Sequence, residues 1–152
     1  MGRLSRLLGA GEGARDLLAD LVEDYRAEAQ HAILLRQHAE RARYPQVATA
    51  LRRLAALEDR HAGWLRDRIV ARFGEVPTVD PELVSGKNQW ERLVTAFAAA
   101  QRKRRRLIEQ ISHWDPGEPD AVELFRRIRD EDHAEFPVYE GLIMRSDPQS
   151  LD

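Results

Sequence analysis

Apolar residues recur at helical spacing in four separate stretches of the chain, and in each the apolar seam is interrupted near its middle by polar residues. Residues 16–43 place Leu17, Leu18, Leu21, Tyr25, Ala32, Leu35 and Ala39 on one side, with Glu28 inside that sector. Residues 45–73 carry Val47, Leu51 and Leu54, then Glu58 and His61, then Leu65 and Ile69. Over 88–113 the seam reads Trp90, Val94, Phe97, Gln101, Arg104, Ile108 and Ile111, and over 119–144 it reads Ala121, Phe125, Ile128, Asp132, Glu135, Tyr139 and Leu142. The pattern predicts an all-α chain of four long helices.

The breaks between these stretches set the topology. Arg43-Tyr44-Pro45 supplies a short turn with proline placed for a helix start, and Trp114-Asp115-Pro116-Gly117 supplies another. Residues 74–87, GEVPTVDPELVSGK, are irregular and longer. A helix of roughly 27 residues is about 40 Å long, and a stretch of about 14 extended residues reaches at most about 46 Å. The long connection can therefore just run the length of a bundle, giving an up-down pair, a crossover between helices 2 and 3, and a second up-down pair.

In an antiparallel hairpin, residues equally far from the turn lie at one height. Glu28 and Glu58 are symmetric about the first turn, and Gln101 and Asp132 about the second. The four interruptions are thus expected to form one polar layer across the bundle. An ionised carboxylate there is costly unless it is paired, hydrogen-bonded or bound to a metal. Glu58-x-x-His61 points an oxygen and an imidazole nitrogen at one spot, as a metal requires; an ordinary buried ion pair is the plainer alternative. The mirror rule also sets Tyr25 opposite His61, as a partner for the imidazole. His31 reads as a hydrogen-bonding neighbour of a buried carboxylate, His38 and His113 as partly exposed, and Trp64 and Trp90 as core or dimer contacts.

Composition narrows the chemistry. With 152 residues and 43% hydrophobic content, one domain with a proper core is expected: residues 16–145, flanked by tails at 1–15 and 146–152. A net charge of −2 gives no overall attraction for nucleic acid, and the run Arg102-Lys103-Arg104-Arg105-Arg106 points all the way round a helix. No apolar run suits a membrane span or a secretory signal, so a cytoplasmic protein is expected. The absence of cysteine excludes a thiolate site. Any metal must be held by nitrogen and oxygen.

Residues 27–62, AEAQHAILLRQHAERARYPQVATALRRLAALEDRHA, resemble the ferritin-like superfamily, most closely the helical domain of rubrerythrins. The resemblance implies a ferritin-like four-helix bundle with a di-iron or di-manganese centre, built from one Glu on each of two helices and Glu-x-x-His on the others. Glu28, Glu58 and His61 match that set. The second hairpin departs from it: the helix-3 position holds Gln101, and helix 4 offers either Asp132 and Glu135 on its seam or the string Asp130-x-x-His133, which a π-bulge would turn inward. The expected metal residues are Glu28, Glu58, His61, Asp132 and Glu135, with the second half, Gln101 included, binding more weakly. The function implied is peroxide or dioxygen reduction, or iron oxidation, in a homodimer supplied with electrons by a partner protein and serving in oxidative stress. The competing reading is a metal-free dimeric interaction module whose polar layer is an Arg104-centred network.

Overall fold

The computed structural model describes the backbone of residues 2–74, 76–81 and 86–151, and side chains within them from Leu17 onward. It consists of α1 (Gly2–Arg41), α2 (Pro45–Phe73), α3 (Gln89–Trp114) and α4 (Pro119–Met144), with no strand among the described residues. The helical backbone of α1 runs back to Gly2, through the stretch set apart above as a tail. No helix among the described residues is long and apolar enough to cross a membrane.

Local sequence explains where the helices begin and end. Tyr44 is extended (φ −108°, ψ 130°) and Pro45 opens α2, where its missing N–H costs nothing. Gly74 closes α2 in the left-handed conformation (φ 73°), its N–H donating to the Val70 carbonyl. Asn88 caps α3: its Oδ1 accepts from the Glu91 N–H at 2.9 Å, while its Nδ2 donates to the carbonyls of Pro148 and Ser150. Those two bonds fasten the segment after α4 to the start of α3, and Gln89 adds a third to Ser146 Oγ at 2.7 Å.

The helices pack α1 on α2, α3 on α4, α1 on α3, and α2 on α4. The crossover lies outside the described residues at positions 75 and 82–85. Its described part is tied to α1, where Arg26 Nε donates to the Thr78 carbonyl and Gln30 Nε2 to the Asp80 carbonyl, each at 3.1 Å. At Gly86 (φ +135°) a Cβ would stand 2.7 Å from Arg92 Cγ and 3.1 Å from Arg92 N. Gly86→Ala is therefore expected to destabilise the fold by about 1–3 kcal/mol through backbone strain and this clash. Urea denaturation checks it, and an unchanged midpoint would show that the segment gives way freely.

Two apolar clusters fill the bundle, one above and one below a polar slab. Leu35, Leu51, Leu54, Leu93, Ala96, Ala100, Tyr139 and Leu142 belong to the cluster nearer the α1–α2 turn. Leu17, Leu21, Leu65, Ile69, Leu107, Phe125 and Ile128 belong to the other. Each fully buried leucine contributes about 1.5–3 kcal/mol, which allows the layer between them to be polar.

The inward face of α3 differs from the seam expected from the sequence. Leu93, Ala96, Ala100, Lys103, Leu107 and Gln110 are buried, whereas Val94 and Ile108 are exposed and Gln101 points to solvent. The helix is rotated by one residue relative to that reading. Lys103 takes the place given to Gln101 and Arg104, and it still mirrors Asp132 across the turn at 115–118.

Candidate metal centre

Each helix delivers one or two polar side chains to the slab: Glu28 and His31 from α1, Glu58 and His61 from α2, Lys103 from α3, and Asp132 from α4. All six are buried. Glu28, Glu58, His61 and Asp132 each offer one ligand atom, and these four atoms lie within 4.8 Å of one another. Glu58 and His61 meet there because residues three apart on a helix share a face; Glu28 and Asp132 arrive at the same height by hairpin symmetry.

Lys103 is the residue that the sequence reading missed. Its Nζ donates to Glu28 Oε2 at 2.8 Å and also to Glu58 Oε2. Burial alone would lower its pKa, but Glu28, Glu58 and Asp132 outweigh burial and hold the ammonium well above its usual range. Burial, and then the neighbouring Glu28 carboxylate, push Glu58 well up against the pull of Lys103. For Asp132 burial pushes upward as well, yet Lys103 and then His61 prevail and hold the carboxyl below its ordinary value. With all three carboxylates ionised, as ligands to a metal would be, one ammonium leaves two negative charges in the slab, which one divalent cation would cancel.

The donors fit such an ion. Both carboxylate oxygens of Asp132 and both ring nitrogens of His61 are buried without a well-aligned hydrogen bond among the described residues, and the two side chains face one another. His61 Nδ1 faces inward, 3.2 Å from Asp132 Oδ1 and 3.9 Å from Glu28 Oε2, and Nε2 faces outward, 3.7 Å from Glu131 Oε1. One nitrogen toward the ion and the other toward a carboxylate is the arrangement that fixes a ligating imidazole. Glu131 is itself held at the surface by Arg60 at 2.5 Å, beside Trp64, over which the Arg127 guanidinium stacks at 4.0 Å.

Several expected residues lie elsewhere. Glu135 is outside the ligand group and half-buried, because it sits one turn further along α4, about 4.5 Å up the axis, on the side of the cluster that holds Tyr139. Gln101 is exposed and Arg104 half-buried, so neither centres the layer; no second ligand group accompanies the first among the described residues. Asp130 and His133 are both exposed on a regular helix. Tyr25 is half-buried in the lower apolar cluster, and its neighbour Asp24 turns inward instead, accepting from Gln110 Nε2 at 3.0 Å. Burial pushes the Asp24 carboxyl well up. His38, expected near the surface, is buried.

His31 and Tyr139 border the slab on its upper side. Their rings stack 6.2 Å apart, and His31 Nδ1 lies 3.9 Å from Glu58 Oε1. Burial, reinforced by the Lys103 charge, holds His31 well below the usual imidazole range, so it is neutral. Burial and then Glu58 push the Tyr139 hydroxyl well up, leaving it a proton donor.

Comparison with known proteins agrees with this geometry. The sequence profile of the family described as Rubrerythrin matches residues 21–136, a span that holds every residue of the slab. No curated protein matches the chain. With four helices in this order, a carboxylate and histidine group at mid-bundle and a family match over most of its length, the chain belongs to the rubrerythrin family.

Proposed function

We propose that this chain binds one divalent transition metal ion, iron or manganese, through Glu28, Glu58, His61 and Asp132, and that it serves in the reduction of peroxide or dioxygen or in iron oxidation. The observation that carries the reading is the convergence of these four buried groups on one spot. When bound, the ion supplies one-electron chemistry of the kind that carboxylate and imidazole ligands support in iron and manganese. Lys103 stands where the family pattern puts a carboxylate, so its ammonium replaces the positive charge of a second ion. Glu131 faces the outer nitrogen of His61 at 3.7 Å, where its charge favours that ring orientation, and the two apolar clusters keep bulk water from the carboxylates. Electrons come from a partner protein or from soluble ferrous iron.

Anaerobic titration of chelator-treated protein with ferrous or manganous ion tests the proposal. Tight binding of about one ion per chain is expected, because a second would have to displace the ammonium. Absence of tight binding would favour the other reading, a metal-free polar network, which the two bonds from Lys103 to Glu28 and Glu58 support. Glu131→Ala is expected to weaken metal affinity by about 10–100-fold, since it removes the group orienting the ligating imidazole. Chelator competition measures this; an unchanged affinity would show that Glu131 does not govern the ring.

A further inference from the structure

Beside the slab, between α1 and α3, lies a cavity of about 230 Å³ lined by Ala27, Gln30, His31, Leu34, Ala99, Arg102, Lys103 and Arg106. Three of these side chains are formally cationic, and none is acidic. The floor is made of buried groups, His31 and Lys103, while the exposed Arg102 and the half-buried Arg106 stand at the rim. A ring nitrogen of His31 faces the Ala96 carbonyl, and neither ring nitrogen makes a well-aligned hydrogen bond among the described residues. An ammonium has three donors, and Lys103 uses two on Glu28 and Glu58. Arg106 is engaged at one edge by Glu23, 3.2 Å from its Nε. Arg102 makes no hydrogen bond or ion pair among the described residues.

We propose that this cavity is a binding site for a compact oxyanion, of the size of phosphate or a short carboxylate. The site has a fork-shaped guanidinium at its mouth, suited to a planar or tetrahedral oxyanion. Deeper in, the His31 ring borders the cavity and the Lys103 ammonium supplies positive charge. A neutral apolar ligand would gain nothing from three cations, and a metal cation would be repelled by them. The volume, several times the roughly 30 Å³ share of one water molecule, accommodates such an anion. The bound anion would lie against the ammonium on the side away from Glu28 and Glu58, which places it next to the metal group without using its ligands.

The test uses the metal-free full chain, so that it does not depend on the metal reading. Calorimetric titrations with inorganic phosphate and, separately, with acetate at neutral pH and constant ionic strength are expected to give saturable binding for at least one anion, and the stronger binder identifies the class. The imidazole NMR signals of His31 should shift over the same titration. Arg102→Gln, an exposed change that leaves the core intact, should weaken binding at least about tenfold, as loss of a charge-assisted contact implies. Lack of saturation with both anions, a His31 signal that does not move, or equal affinity in R102Q would each overturn the proposal.

Discussion

Replacing Lys103 by methionine is expected to destabilise the metal-free protein by about 3–5 kcal/mol, the cost of stranding buried charges when one partner of a buried pair is removed. Glu28 and Glu58 each lose a bond from Nζ, and Asp132 loses the charge that most favours its ionised form. Proton uptake by the carboxylates would recover part of the loss, so urea denaturation at pH 8 should show a larger deficit than at pH 5. A divalent ion that binds only the folded chain stabilises it by mass action, and manganous ion should therefore restore most of the lost stability. The opposite change is equally informative. Lys103→Glu completes a set of four carboxylates and should raise bound metal from about one ion per chain to about two, as in the family's dinuclear pattern. A metal-free K103M protein as stable as the parent would show that the ammonium does not hold the layer together. Failure of manganous ion to rescue it would remove the support for a metal centre.

The placement of Lys103 also explains which parts of the molecule could be read from the sequence. In α1 and α2 leucines and an isoleucine recur among the buried alanines, so Glu28, Glu58 and His61 stand out as polar residues on a clear apolar seam. In α3 the buried face is small, built on Ala96 and Ala100, while the bulky Val94 and Ile108 face outward at 36% and 39% exposure. Periodicity weighted by side-chain size therefore selects a face one residue away, and no hydropathy pattern places a lysine in a core. The spacing of Leu93, Ala96, Ala100 and Leu107 does pass through position 103, but alanine weighs too little to outvote valine and isoleucine. On α4 the seam selected Asp132 and, one turn later, Glu135; heights along the axis, which seam arguments do not resolve, separate the two. Glu131 was missed because nothing in the pattern marks a partly exposed acid, and its nearness to the outward nitrogen of His61 appears only in the folded chain.

Acidification from pH 6.5 to pH 4 is expected to cost the fold about 3 kcal/mol through His38 alone. Burial, and then the charges of Arg92 and Arg41, lower its pKa from the ordinary 6.5 to about 4. The unfolded chain takes up this proton near pH 6.5 and the folded chain only near pH 4, so protons favour the unfolded state throughout that window. The stabilising effect of a neutral His38 is complete above pH 6.5 and is lost progressively as the pH falls through the folded value. A shift of this size, at 1.36 kcal/mol per unit, sets the magnitude. His31 is displaced in the same direction by burial and by Lys103, and it steepens the loss. His38→Gln keeps a polar side chain of similar size but cannot titrate, so its stability should fall less than that of the parent over the same interval. Chemical denaturation of both proteins at half-unit pH steps separates the effects. Parallel curves for parent and variant between pH 6.5 and 4 would mean that His38 is protonated in the folded chain and that the buried ring near Arg92 does not resist acid.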